Sequence, residues 1–194
     1  MLRKFSLVFL PFTLLPFANP ALALPGQAAE EVTAWIQAHP TLRPKSGEKL
    51  EVESSDTVAQ RFSFQASVLP VGRLGFSKNR SKIRNERLAL FDAINGVTPQ
   101  RLEESLRVIY SLDIYQDYNN GRVIYDYPNQ SAINEARNQK TPIREALQGQ
   151  LRLGDRYAYW WEVAQPKKGK AFTGQMTVFL KTDLDKLEAE LRNR

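Results

Sequence analysis

The sequence predicts an α+β domain in which an antiparallel sheet is covered on one face by helices. Several segments alternate apolar and polar residues; over 61–69, Phe62 and Phe64 point one way while Ser63 and Gln65 point the other. Other segments repeat apolar residues at helical spacing. Short, fully apolar strands that alternate with helices are absent, which argues against a parallel doubly wound sheet.

The first 23 residues have the pattern of a secretory signal peptide. Arg3 and Lys4 precede the uncharged apolar run 5–18, and small residues stand before an expected cleavage point after Ala23. An uncleaved membrane anchor is the alternative. A spanning helix needs about 20 apolar residues, however, and this run is shorter and is interrupted by two prolines. We therefore expect a cleaved signal and an exported protein.

Residues 24–194 have the length of one ordinary domain. The formal net charge of the whole chain is +6, and it falls to +4 when residues 1–23, with their two cations, are removed. The chain has no cysteine. This excludes disulfides, a thiolate nucleophile and a cysteine-ligated metal, so the fold must be held by its core alone.

In the first half of the chain, periodicity and proline predict one helix and three strands. The helix over 25–38 groups Val32 and Ile36 on one face and ends before Pro40, which disfavours helical geometry in the residue before it. The remaining expected elements are a loop at 41–47, strands at 49–53 and 61–69, and a loop at 70–82. The segment 83–91 fits both a strand and a helix, and the strand is favoured.

In the second half, Thr98-Pro99 is a helix start, with threonine as N-cap and proline at the first helical position, and predicts a helix over 99–110. Asn120-Gly121 predicts a hairpin turn that pairs Tyr118 with Val123. The other expected elements are a partly helical 131–148, strands at 156–164 and 170–181, the latter with Phe172, Met176 and Val178 inward, and a helix from Asp183.

Motifs for catalysis, metal binding or cofactor binding are absent. His39 is the only histidine available to a triad or a zinc site, and its place at an expected helix end before Pro40 favours a structural role over catalysis. Ser46 and Lys49 match an S-x-x-K pattern but lie in an expected loop without its companion motifs. We expect no cofactor and no metal. One enzyme alternative remains, a small hydrolase of envelope material whose carboxylates meet in a tyrosine-lined cleft: Asp117, Asp126 and Glu162.

Two loops are rich in cations and are the first candidate for binding. The cations of the first loop and its flank are Arg73, Lys78, Arg80, Lys82 and Arg84, and those of the second are Lys167, Lys168 and Lys170. If both loops reach the same end of the sheet, they form one positive patch. Such a patch suits a protein partner, an anionic lipid surface or an acidic envelope polymer. Lysine that merely keeps loops soluble is the alternative, and nucleic acid is not expected.

The segment around Trp160 supplies the second candidate. Trp160 and Trp161 are adjacent in an expected strand, so they point to opposite faces of the sheet. One of the two then lies outside the helix-covered face. Because a tryptophan has a large apolar body and a polar tip, it suits partner surfaces and sugar rings. We expect Trp160 to be an exposed anchor.

The junction Ala-Leu-Ala-Leu-Pro-Gly at 21–26 and the segments Trp-Ile-Gln-Ala-His-Pro at 35–40 and Arg-Leu-Glu-Glu-Ser-Leu-Arg at 101–107 resemble exported proteins of unknown function from cyanobacteria. The resemblance implies the periplasm or the thylakoid lumen and brings no catalytic residues. The sequence thus favours a non-enzymatic binding or accessory protein that uses basic loops and exposed aromatics on an envelope or lumen partner.

Overall fold

The computed structural model describes residues 24–73, 81–128, 133–134, 137–139, 141 and 146–194. The helices are α1 Ala29–Ala38, α2 Pro99–Tyr110, α3 Leu112–Asn120 and α4 Leu184–Arg192. A 3-10 turn over Lys181–Asp183 leads into α4. The strands are β1 Glu51–Thr57, β2 Gln60–Ser67, β3 Asn85–Asp92, β4 Arg122–Tyr127, β5 Leu147–Leu153, β6 Ala158–Ala164 and β7 Thr173–Phe179.

The seven strands form one antiparallel sheet in the order β1-β2-β3-β7-β6-β5-β4. The central pairing of β3 with β7 joins strands that are far apart in sequence. At one end of the sheet β2 finishes at Ser67 and β7 at Phe179, and we call this the Ser67 end. At the other, β3 finishes at Asp92 and β7 begins at Thr173, and we call this the Thr173 end.

One face of the sheet, the helix face, packs against α1, α2 and α3. Alternate strand residues point to it, as the sequence predicted for Phe64 and Ala66. The helices contribute the apolar stripes expected from their spacing, including Ile36 and Leu106, which are fully buried. The antiparallel α+β architecture with helices packed on the sheet is therefore confirmed.

The opposite face, the second face, is also partly covered. Helix α4 packs Leu184, Leu187 and Leu191 against Trp160 and Phe179 in a separate apolar cluster. The sequence predicted the α4 stripe but not its side of the sheet. Covering part of the second face removes apolar strand residues from water, and it leaves the polar remainder of that face as a groove beside α4.

The predicted hairpin around Asn120-Gly121 is wrong. Residues before this dipeptide form α3, in which Ile114 and Tyr118, four residues apart, are both buried on the helix face. The same two residues also fit an alternating pattern, which is why the sequence admitted a strand. Gly121 ends the helix by donating its backbone N–H to the Tyr118 carbonyl at 3.1 Å, and β4 pairs with β5 instead.

Other predictions are met more closely. Helix α2 has the predicted bounds and cap, since the Thr98 hydroxyl accepts a hydrogen bond from the Arg101 backbone at 3.3 Å. Phe172 differs, because it precedes β7 and is exposed. The signal peptide and most of the expected 131–148 helix lie outside the described residues, but positions 147 and 148 begin β5. No helix among the residues that the structure describes is long and apolar enough to cross a membrane.

A carboxyl group lies inside the core of the helix face. Glu86 on β3 is fully buried, flanked across the sheet by Ala66 and Val178. Among the described residues, neither its carboxylate oxygens nor the neighbouring Tyr110 hydroxyl completes a hydrogen bond. Burial raises the pKa of Glu86 to about 8, an effect that the Tyr110 hydroxyl only partly offsets.

This buried acid predicts that stability falls with rising pH. Between about pH 4.5 and 8 the unfolded chain ionises Glu86 while the folded chain keeps the proton, so the free energy of unfolding decreases. We therefore compare the free energy of unfolding of Glu86→Gln with that of wild type, measured by urea unfolding. The difference in favour of the variant should grow by roughly 3 kcal/mol between pH 5 and pH 8. Glu53→Gln, at an exposed strand position, controls for net charge. Parallel pH curves for Glu86→Gln and wild type would contradict this account.

Candidate binding groove

A polar groove of about 500 Å³ lies on the second face, between the central strands, α4 and the 69–73 loop. Its floor is formed by side chains that sit next to one another across the sheet. In the ladder, Gln65 of β2 pairs with Arg87 of β3, Arg87 with Thr177 of β7, and Thr177 with Trp160 of β6. Gln175 comes from the neighbouring row. Alternation in four strands thus places this row on one face.

The wall of the groove is a loop held by the C-terminal helix. Glu190 of α4 accepts a hydrogen bond from the Arg73 backbone at 2.8 Å, and Lys186 donates to the carbonyls of Val71 and Arg73 at 3.0 and 2.9 Å. Gly72 between them has a φ of +88°, and a Cβ there would collide with the Glu190 carboxylate. The 71–73 backbone is therefore fixed against α4.

The balance of hydrogen bonds keeps Glu190 ionised. Burial alone would raise the pKa of this carboxyl group, but the backbone N–H of Arg73 and the Lys186 ammonium, at 3.0 Å, outweigh burial and lower it. The Glu190 carboxylate is thus already engaged within the wall. The Glu190 carboxylate therefore neutralises the positive charge of the arginines that line the groove only in part.

The far side of the groove is a hydrogen-bonded aromatic cluster. The Trp160 indole donates to the Tyr127 hydroxyl at 2.9 Å, and that hydroxyl donates to Glu162 at 2.6 Å. Arg194 forms an ion pair with Glu162 and lies over the Trp160 ring at 5.4 Å. Gly149 on β5 makes room for Tyr127, because any Cβ would strike the phenol.

The electrostatics of the groove favour an anion. Three arginines line it, Arg73, Arg87 and Arg194, and Glu190 is the acid among its lining residues; Arg194 is already paired with Glu162, so Arg73 and Arg87 supply most of the positive charge. Arg87 is exposed and donates to Gln65 at 2.5 Å, with no carboxylate partner among the described residues. The buried Thr177 hydroxyl beside it also lacks a hydrogen-bond partner there.

The structure separates the predicted basic loops. Arg73, Lys82 and Arg84 lie at the Ser67 end, whereas the second loop, Lys167, Lys168 and Lys170, lies at the Thr173 end. The hypothesis of one shared positive patch is therefore wrong, because strands β6 and β7 run the length of the sheet between the two loops. Lys78 and Arg80 fall outside the described residues.

Two single-residue predictions are also corrected. Trp160 is only 6% exposed, because α4 and Arg194 cover its side of the sheet, so it is not a surface anchor, although its edge lines the groove. Arg84 forms an ion pair with the buried Asp183 and thereby fixes the start of α4 to β3. Its charge is used within the fold. Lys82 is exposed and forms an isolated antiparallel β-bridge with Ala28.

The proposed hydrolase carboxylates do not meet. Asp117 faces the helix face, where it accepts hydrogen bonds from the backbones of Asp155 and Arg156 at 2.9 and 3.0 Å and from the Tyr159 hydroxyl at 2.6 Å. Glu162 points to the second face, and Asp126 is exposed on β4. Asp117 thus shapes the β5–β6 turn, and the tyrosine-lined cleft with three acids is wrong.

His39 has a structural role. Its Nδ1 accepts hydrogen bonds from the Thr41 and Leu42 backbones at 3.2 and 3.3 Å, and its Nε2 lies 3.0 Å from the Ile109 carbonyl. Nε2 therefore carries the proton and ties the end of α1 to α2. Burial lowers the pKa of His39 despite this bond to Ile109. No group of three histidine or acidic side chains in the described part of the chain could hold a metal ion.

Sequence reasoning missed most of the groove. Alternation in the sequence predicts that Gln65 lies on the outward face of its strand. It does not connect Gln65 with the other residues of the groove, Arg87, Gln175, Thr177 and Arg194. The sequence does contain one signal for the groove, which is the polarity of outward positions on central strands. A polar sheet face of this kind suits a binding surface as well as a surface that only contacts water. The pairing of β3 with β7, which aligns these positions, cannot be read from local pattern.

The aromatic cluster predicts a specific loss of stability. We expect Tyr127→Phe to lower the free energy of unfolding by about 1–2 kcal/mol, because the Trp160 indole loses its acceptor and Glu162 loses a donor. Urea unfolding measures this. Tyr125→Phe is the matched control, since the Tyr125 hydroxyl makes no hydrogen bond with the residues described and its ring stacks on Tyr127 at 5.6 Å. Equal stability of the two variants would refute the assignment.

The chain matches no protein-family model, no curated protein and no solved structure. The chemistry of the groove is therefore inferred from its own residues. Those residues include guanidinium groups, which donate hydrogen bonds to carboxylates and phosphates, together with side-chain amides and a tryptophan edge.

Proposed function

We propose that this chain is an exported, non-enzymatic binding protein that holds a stretch of an acidic envelope polymer in the groove of its second face. The observation that carries the proposal is the row Gln65, Arg87, Thr177 and Trp160, flanked by Arg73 and Arg194. A carboxylated sugar chain presents anionic groups to the arginines and hydroxyls to the amides. The groove is open along the sheet, which suits a polymer better than a small enclosed ligand.

Export is part of the same proposal. The pattern of residues 1–23 supports a secretory signal, and acidic polymers of the envelope are met outside the cytoplasm. Leu24, the first residue after the expected cleavage point, is buried in the main core, so the expected mature chain begins at a core residue. The resemblance to exported cyanobacterial proteins favours the periplasm or the thylakoid lumen.

Arg87 is the residue whose loss tests the proposal most directly. We expect the protein to bind oligomers of polygalacturonate but not neutral dextran, measured by titration calorimetry at low salt. Arg87→Gln should weaken this binding about tenfold, because a charge-assisted hydrogen bond to the ligand is lost. The side chain at position 87 is exposed, so the substitution leaves the fold unchanged. Lys168→Gln removes one charge at the opposite end and should leave the affinity unchanged. Equal binding of dextran, or equal effects of the two substitutions, would refute the proposal.

Thr177 provides a second test that separates binding from folding. Its buried hydroxyl has no partner among the described residues, so Thr177→Val removes an unpaid desolvation penalty and should raise the free energy of unfolding by about 1 kcal/mol. A ligand that reaches the floor beside Arg87 would supply the missing partner. We therefore expect the affinity for polygalacturonate to fall severalfold in this variant. An unchanged affinity would show that the ligand does not reach the floor.

A further inference from the structure

The Thr173 end of the sheet brings three loops together. The β1–β2 turn touches the turn after β3, because the Ala93 backbone donates to the Ala59 carbonyl at 2.9 Å. The turn after β3 also contacts the segment before β7. The Asp92 backbone donates to the Phe172 carbonyl at 2.9 Å, and the Val97 backbone donates to the Ala171 carbonyl at 2.7 Å. We call the joined loops 58–59, 93–97 and 165–172 the tip.

Each of the three loops of the tip exposes one large apolar side chain. Val58 is 98% exposed, Ile94 58% and Phe172 48%. The described residues include four other exposed large hydrophobics, on the helices, on β4 and in the 69–73 region. A single exposed apolar residue needs no explanation, but here three stand on loops that are hydrogen-bonded to one another and so gather at one end of the sheet.

The tip also carries a set of lysines, two of which, Lys168 and Lys170, have no acidic partner among the described residues. Lys167, Lys168 and Lys170 are exposed on the 165–172 loop. The Gln165 side chain donates to the Gly169 carbonyl at 3.0 Å and so holds the shape of that loop. Lys170 is packed against Gly96, where a Cβ would meet its side chain.

The acids near the tip do not cancel this charge. Asp92 is buried and forms an ion pair with Arg101 at 2.8 Å, and it also accepts hydrogen bonds from the backbones of Ile94 and Asn95 at 3.0 and 2.8 Å. These contacts lower the pKa of Asp92, the backbone hydrogen bond from Asn95 most of all, and tie its charge to the turn. In the described part of the chain, Asp56, before the β1–β2 turn, is an exposed acid nearby.

We propose that the tip docks on the surface of an anionic lipid bilayer. The apolar side chains protrude separately from turns, a shape that enters the boundary between headgroups and acyl chains more readily than it fits a flat protein surface. The lysines beside them would pair with the anionic headgroups, each contributing to attraction near the surface. The proposal is independent of the groove, whose residues lie on a sheet face away from the tip.

Cosedimentation with lipid vesicles tests this surface. The purified protein should bind vesicles of phosphatidylcholine mixed with phosphatidylglycerol, and not vesicles of phosphatidylcholine alone. Replacing Lys168 and Lys170 by glutamine should lower the partition coefficient about fivefold for each lysine. Val58→Asp should lower it about tenfold, because the turn then carries a charge where an apolar group inserts.

Matched variants elsewhere control for general effects. Val123→Asp changes an equally aliphatic residue, 42% exposed, at the Ser67 end, and the pair Lys45→Gln and Lys49→Gln removes two exposed lysines there. Both controls should bind anionic vesicles like wild type. Circular dichroism establishes that every variant is folded. Absence of binding to anionic vesicles, or equal binding by Val58→Asp and Val123→Asp, would overturn the proposal.

Discussion

The pairing of β3 with β7 is the constraint on which the rest of the structure depends. It joins the first three strands to the last four strands of the sheet, and its register decides which side chains share a face. With Arg87 opposite Thr177, the arginine and Trp160 stand on the second face, and Leu88 and Met176 stand in the main core. A shift of one residue would move every one of these side chains to the wrong side of the sheet.

The same alternation places two unlike charges back to back on β3. Glu86 is held in the core beneath the helices, whereas its neighbour Arg87 faces the open groove. Burying an unpaired carboxyl group costs stability unless it takes up a proton, and the core accepts Glu86 in that form. Opposite charges on adjacent residues thus end in environments of very different polarity, with the carboxyl group neutralised by protonation and the guanidinium exposed.

Local pattern predicted most of the elements. Helix α2 follows from Thr98-Pro99, β2 from strict alternation, and the α4 stripe from its leucines, since each signal lies within one element. Helix α3 was missed because Ile114 and Tyr118 suit both a helix and a strand, and only packing against β6 decides between them. The prediction that Trp160 is exposed was wrong for the same reason, because packing between elements decides it. Which face α4 covers depends on the direction of a connection, and no residue of the strand encodes it.

The groove could not be predicted for a related reason. Its residues come from β2, β3, β6 and β7, from the 69–73 loop, and from α4 and the segment after it, so no window of sequence contains them together. The sequence did contain the polar character of each contributing position. What it lacked was the order of the strands, which brings Gln65 and Trp160, 95 positions apart in the chain, into one row.

The placement of the two lysine- and arginine-bearing loops at opposite ends has a consequence for competition between ligands. Arg87 lies four residues along β3 from Phe91 at the Thr173 end, which at about 3.4 Å per residue is about 14 Å. The Debye length at physiological ionic strength is about 8 Å. For a molecule that stands on a bilayer by its tip, the surface potential of the lipids is therefore largely screened at Arg87. The arginines of the groove would then exchange their counterions with a soluble polyanion and not with lipid headgroups. Binding of the polyanion to the groove and binding of the tip to the bilayer would be independent of each other.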